Sequence, residues 1–577
     1  TATVNPGNNV SIIGTSGADT ILFSTSGNAA PNTITTLFVR RVTVNGGGGT
    51  DTLNYTSSQA DDTIGLSTLG WTDGILTGAY TSVENVVMNA AFGFDTISIA
   101  HGSGAPSVTV NGGEGNDVLT ITGASGVTTP MIFNGENGND AVTIATSAAA
   151  TFTYNGGAGT DSLNQSGTSV QDTITINNTT VSGGASSTTH SGLESIVFNG
   201  IGLNDTFNVT AVAATTNVTL NGGDGNDVFN IGSGLVFQGL NNILGNVTVN
   251  GENGASDVIT LIDQTDLIPR DYTLNPTTFD RTTSFGLLTY GTVEGLTLNA
   301  TPNTNNITVA GTAAATPVTV NGNDGSDVLT ISVAAAAPVT FNGGTSTSYI
   351  DRLNVNAGTY TFNADARNTT ARLILGAAGI GTSVLLNATQ HLEGIVLQNN
   401  AVVTLAQNGN RLINTGFFLA SLNSKLDLKD NDLIARSETV GTWNGSTYTG
   451  LSGYIQSGSN GGEWNGQGLI TSMSAAVDGL TTLGIASAAD LFGISGSQTE
   501  VYNGETVTAN AVIIKYTYAG DANLDGIISG DDYSSIDFNV GTGASGYYYG
   551  DFNYDGIVSG DDYSTIDFNY AAQGVGL

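Results

Sequence analysis

The sequence predicts a mainly β protein: a right-handed parallel β-helix or β-solenoid, then a small β-rich module, then a small α-helical C-terminal domain. Three observations predict it. A stretch typified by VTVNGGEGNDVLTIT, from Val108 to Thr122, recurs with variations from Val42, Met131, Thr151, Val218, Val247 and Val318, and such self-similarity marks stacked repeats. Within each copy apolar and hydroxylic residues alternate, as in Val-Thr-Val-Asn and Val-Leu-Thr-Ile-Thr, which turns Val, Leu and Ile inward and Thr outward along a strand. Helical periodicity is nearly absent, and 80 glycines with only 10% charged residues do not suit an ordinary helical enzyme.

Composition also bounds function. Acids outnumber bases 48 to 12, for a formal charge of −36, and no lysine precedes Lys425. A surface for nucleic acid or an anionic membrane is therefore not expected, whereas divalent cations are. The absence of cysteine excludes thiol chemistry and a disulfide-stapled fold. No apolar segment of membrane-spanning length occurs, so insertion in a membrane is not expected. The TATVNPGNN opening reads as a mature product whose secretion signal has been removed, which points to an extracellular or cell-surface location.

Along the chain, residues 10–24 read as an opening half-repeat with Asp19 in its turn, capping the solenoid. A second unit alternates with the short repeat, centred on Glu84 and returning at Glu194, Glu294 and Glu393, so a superrepeat of roughly 100 residues overlies the short one. Asn111, Asn134 and Asn155 are spaced 23 and 21 residues apart, a length that suits one coil of three short strands plus turns. The solenoid is expected over residues 1–400. From 401 to 518 the turns stop and a β-rich module is expected, with a Gly/Asn/Ser-rich loop at Gly453–Gly468, a helix around Ser472–Leu480 and a strand in TVTANAVIIKYTY. Residues 519–577 form the third part.

Four turns match G-G-x-G-x-D-x-U-x, starting at Gly46, Gly112, Gly156 and Gly222. They resemble the calcium-binding nonapeptide of RTX proteins, although RTX motifs run in tandem whereas these copies stand twenty-odd residues apart. Stacking would set Asp117, Asp140 and Asp161 in neighbouring coils, where a hard cation would relieve their repulsion. The same residues suit an ion-free arrangement, with Gly supplying positive φ while Asn and Asp cap the turns and form hydrogen-bonded ladders.

The strongest chemical signal is the tail. DANLDGIISGDD (Asp521 to Asp532) and DFNYDGIVSGDD (Asp551 to Asp562) are twelve-residue loops with oxygen ligands at positions 1, 3, 5 and 12 and glycine at 6, the pattern that wraps calcium. The expected ligands are Asp521, Asn523, Asp525, the Ile527 carbonyl, Ser529 and Asp532, and then Asp551, Asn553, Asp555, the Ile557 carbonyl, Ser559 and Asp562. A helix is expected after each loop. The duplication closely resembles a type I dockerin, and the preceding module resembles one that leads into dockerin-like tails in planctomycete extracellular proteins. The resemblance implies calcium as the cofactor and a cohesin as a partner. Positions 10 and 11 are Gly530-Asp531 and Gly560-Asp561, and the basic pair of the family reads Asp537-Phe538 and Asp567-Phe568, so the calcium ligands carry over, whereas the cohesin-contact positions depart from the family's pattern and leave cohesin recognition open. Packing on its own chain, or on a copy, is the alternative, with Tyr547, Tyr548 and Tyr549 as contact area.

An enzyme is not expected. Parallel β-helices do host polysaccharide lyases and glycoside hydrolases, but this solenoid has few arginines, among them Arg40-Arg41. His101, His190 and His391 share no motif, and the acids at fixed repeat positions read as architecture. The expected function is a structural subunit that assembles with copies of itself into a surface fibre or layer. The alternative is a dockerin-anchored adhesin or carbohydrate-binding rod, with a cohesin-like protein or a glycan as partner.

Overall fold

A computed structural model describes residues 2–5, 9–13, 20–24, 34–35, 41–73, 76–123, 129–145 and 151–577. Asp19 and Arg40 lie outside the described residues. The protein is mainly β, built of long parallel sheets, as a β-solenoid requires. It divides into two compact units, Thr1–Asp266 with Thr277–Asn299, and Leu267–Pro276 with Ala300–Leu577. Among the described residues no helix is long and apolar enough to cross a membrane.

In the first unit the repeat motif folds as strand, glycine turn, strand. Ser107–Glu114 lies parallel between Asn85–Asn89 and Met131–Asn137, and Val118–Gly123 lies parallel between Thr96–Ala100 and Ala141–Ile144. Register puts like on like: Val110 faces Met88 and Phe133, and Ile121 faces Ile99 and Ile144. The alternation seen in sequence is the burial pattern, with Val108, Val110, Leu119 and Ile121 inside. The interior is not purely aliphatic, since Phe207 stacks on Phe229 at 4.8 Å and Tyr55, Phe133 and Tyr154 are fully buried. Short coils of 21 to 23 residues are interspersed with longer ones of 30 to 37. The first of the long coils makes room for antiparallel hairpins between Thr63–Ser67, Gly70–Thr72 and Thr77–Thr81.

The three-strand coil expected from repeat length is not what the motif builds. Among the described residues the short motif coils contribute two strands each, and the rest of their length is turns, bends and isolated bridges, as between Val228–Ile231 and Val247–Asn253, where Ser233 bridges Gly239 and Ile243 bridges Val212. Three-strand coils appear in the second unit, where Ser383–Leu386, Gln390–Leu392 and Gly394–Gln398 lie below Val402–Leu405, Leu412–Thr415 and Phe418–Ala420. Parallel pairing there runs on to Lys425–Asp427 against Gly468–Ile470.

The expected loop at Gly453–Gly468 instead begins in a helix, α1, Gly450–Ser459. Its Gly/Ser composition disfavours a helix, but Leu451 and Ile455 are fully buried, and the ring of Tyr454 meets Phe418 edge-on at 5.1 Å, so packing overrides propensity. Two short helices follow, α2 (Ser474–Val477), within the expected Ser472–Leu480 window, and α3 (Ala488–Phe492). Val512–Tyr518 pairs antiparallel with Thr481–Ser487, and the tail helices α4 (Gly530–Asn539) and α5 (Gly560–Tyr570) follow the two Asp-rich loops.

Candidate functional site

Each tail loop is closed by its own acids. Asp521 accepts the Gly526 N–H at 2.8 Å, the Asp525 N–H at 3.1 Å and the Thr517 hydroxyl; Asp532 accepts Ala522 N–H and Ser529 N–H, both at 2.8 Å. The second loop repeats this: Asp551 takes Gly556 N–H at 2.8 Å and Asp555 N–H at 3.1 Å, and Asp562 takes Phe552 N–H at 2.8 Å and Ser559 N–H at 2.9 Å. Glycine is needed at position 6, where φ is 96° at Gly526 and 87° at Gly556. Ser529 and Ser559 sit at the N-caps of α4 and α5, with Asp532 and Asp562 completing capping boxes.

Positions 1 and 12 are thus brought together inside each loop: Asp521, Asp532, Asp551 and Asp562 are all 0% exposed. Positions 3 and 5 stay outside, with Asn523 donating to Asp525 at 3.3 Å and Asn553 to Asp555 at 3.2 Å. Ile527 and Ile557 are exposed, and Ser529 and Ser559 are half-buried. Burial pushes Asp521 up to about 6, with Asp532 adding to the shift; burial likewise raises Asp562 to about 6, helped by Asp551 and Asp561. Among the described residues no basic side chain pairs with these acids (Lys515 donates to the Leu524 carbonyl at 3.1 Å), and no group of three or more His, Asp or Glu side chains is placed to hold a metal ion. Two buried carboxylates per loop, oxygen donors only and no ion-paired base, with Lys515 acting on Asp521 only through space, fit a hard divalent cation in chemistry; a full ligand set would need positions 3 and 5 to turn inward.

The tail packs on its own chain. Tyr448 donates to Asp551, Gln456 to the Tyr554 carbonyl at 2.8 Å, and Tyr554 to the Leu483 carbonyl at 2.6 Å. Tyr547 is fully buried, meeting Phe552 at 5.2 Å and Tyr554 at 5.7 Å between ring centroids. The helices are tied reciprocally, Tyr533 to Asp567 and Tyr563 to Asp537, which is where the two helix aspartates are used.

The acids of the GGxGxD turns form a ladder. Asp95 N–H donates to Asp117 Oδ1 at 2.9 Å, Asp117 N–H to Asp140 Oδ1 and Asp140 N–H to Asp161 Oδ1 at 2.8 Å, and Asp161 N–H to Glu194 Oε2 at 2.7 Å. A second run passes from Asp172 through Asp205, Asp227 and Asp257 to Glu294. In the other unit Asp327 N–H donates to Asp351 at 2.9 Å. Beside them an amide ladder joins Asn89, Asn111, Asn134 and Asn155, each step 2.8 Å. The remaining oxygen, Oδ2, of Asp95, Asp117, Asp140 and Asp161, and of Asp205, Asp227, Asp257 and Asp327, is sealed from solvent with no hydrogen-bond partner. In all of these but Asp95 it rests against the glycine at the start of the turn: a Cβ on Gly112 would overlap Asp117 Oδ2. Burial raises these acids, Asp95 to about 7, Asp140, Asp205 and Asp227 to about 6, and Asp327 to about 8.

Glu84, Glu194 and Glu294 share one role, taking the N–H of Asp51, Asp161 and Asp257. Glu393, grouped with them by sequence, departs: it holds the guanidinium of Arg372 at 2.8 and 3.2 Å. His101 and His190 are buried, which lowers their pKa. His391 is different, set between Asp365 at 2.5 Å and Glu505 at 2.9 Å. No local motif signals that cluster, because its members come from separate coils. Comparison with known proteins gives no matching family model and no curated relative.

Proposed function

We propose that the protein is an extracellular structural subunit, a β-solenoid with a calcium-locked tail that assembles with copies of itself into a surface fibre or layer. One observation carries this reading: the recurrent Asp and Asn side chains are spent on coil-to-coil hydrogen bonds, so the repeat serves the architecture rather than a reaction. Calcium belongs in this reading to the tail loops, bound by Asp521, Asn523, Asp525, the Ile527 carbonyl, Ser529 and Asp532 and by their counterparts in the second loop. The ladder turns bind none, their Oδ2 atoms facing glycine instead of an opening. Phe538 and Phe568, at equivalent places on α4 and α5 and 80% and 69% exposed, offer apolar surface for a contact between subunits. Electron microscopy of the purified chain tests the reading. Regular filaments or sheets with calcium that dissolve under a chelator are expected; isolated particles in both conditions would overturn it and leave a cohesin-like partner as the next candidate.

A further inference from the structure

We propose that the cavity lined by Arg367, Arg372, His391, Glu393, Arg436 and Glu505 binds the carboxylate of an acidic sugar. The cavity measures about 470 Å³, within the usual range of small-ligand sites. Three of the chain's twelve basic residues meet there, in a protein whose formal charge is −36. They are not equally neutralised. Arg372 is held by Glu393, and His391 by Asp365 and Glu505. Arg436 spends its hydrogen bonds on neutral acceptors, Asn414 Oδ1 at 2.6 Å and the Leu392 carbonyl at 2.9 Å, and the Arg367 guanidinium makes no hydrogen bond or salt bridge among the described residues, sensing Glu505 only at longer range.

Arg436 is also held in place from behind. Asp365 fixes His391, His391 fixes Glu505, Glu505 accepts from Asn414 at 2.9 Å, and Asn414 fixes Arg436. A guanidinium positioned in advance by such a chain loses little freedom on binding a planar, two-oxygen anion. Its own charge is disfavoured first by burial; Glu393 and Glu505 offset part of this, while Arg367 and Arg372 add repulsion that an anion would relieve. The remaining lining contributes Thr347, Thr506 and Asn414 and little apolar surface, so the rest of the ligand is rich in hydroxyls. Screening within about 8 Å at physiological salt lets this local positive site act despite the acidic chain.

Calorimetric titration of the whole chain with trigalacturonate, against maltotriose and acetate, tests the site. Trigalacturonate is expected to bind, and maltotriose not to. Arg436→Gln and Arg367→Gln are each expected to weaken binding at least tenfold, and Arg436→Lys, which keeps the charge but not the fork, to fall between. The exposed Arg367 side chain makes its variant safe for folding. Acetate binding as tightly as trigalacturonate, or affinity unchanged in both Gln variants, overturns the proposal. So does loss of self-association in Arg367→Gln, which would identify the bound carboxylate as another copy's.

Discussion

At the scale of single residues, the repeat works because each acid has two oxygens with different tasks. Asp140 gives Oδ1 to the Asp117 N–H and presses Oδ2 against Gly135. Removing the acceptor in Asp140→Ala leaves a buried N–H unsatisfied, which costs about 1–3 kcal/mol. Asp140→Asn keeps an oxygen acceptor and removes the charge, so it is expected to be far milder at pH 8, where the acid is otherwise ionised in a buried place. Denaturant titration of both variants checks this; equal losses would mean that the coil-to-coil bond matters less than the packing. Gly112→Ala tests the other face, since its methyl group would overlap Asp117 Oδ2; an overpacked interior costs about 1–3 kcal/mol. Some of this was legible in advance. Period-two alternation and the stacking of Asp117, Asp140 and Asp161 follow from the sequence, because a strict repeat must place like on like. The different role of Glu393 was not legible, since its partner Arg372 lies outside the repeat pattern and only folding joins them.

At the scale of elements, the tail shows what duplication preserves. Both loops keep the acid-to-backbone bonds of positions 1 and 12 and both lead into capped helices. The loops and helices were legible because the Asp/Asn/Gly spacing and the caps are local. Helix α1 was hidden, because what stabilises it is the distant contact surface that receives Leu451 and Ile455. Tyr547 anchors the tail, and Tyr547→Ala is expected to cost about 3–5 kcal/mol, the range for large buried aromatics, and to expose the tail to protease. Calcium is expected to protect the same segment, by about 2.7 kcal/mol when the free ion is a hundredfold above its dissociation constant. Limited proteolysis of residues 519–577 with calcium and with chelator reads the effect, and Asp521→Ala with Asp551→Ala should abolish the difference. Identical cleavage of the unmodified protein in both conditions would remove calcium from the tail.

At the scale of the whole molecule, the buried acids predict how stability depends on pH. The folded chain holds protons on Asp95, Asp140, Asp205, Asp227 and Asp327 up to about pH 6 to 8, whereas unfolded aspartates release theirs near about 3.9. Between those limits the native state binds more protons than the unfolded one, so stability must fall as pH rises. The contribution is fully present below about pH 4 and is lost as pH passes through the window of about 6 to 8. The formal charge of −36 works in the same direction, because ionising further acids increases self-repulsion. Most soluble proteins behave otherwise at the acid end, where paired carboxylates lose stability on protonation; here Asp95, Asp140, Asp205, Asp227 and Asp327 form no salt bridge among the described residues. Thermal melts from pH 5 to pH 8, in chelator so that the tail loops do not contribute through calcium, should therefore show a midpoint that decreases with pH. The slope should be reduced in Asp140→Asn, and more in a variant that also carries Asp227→Asn. A midpoint that is flat or rises over this range would mean that the ladder carboxylates are ionised in the fold, and their sealed oxygens would then require a cation to balance them.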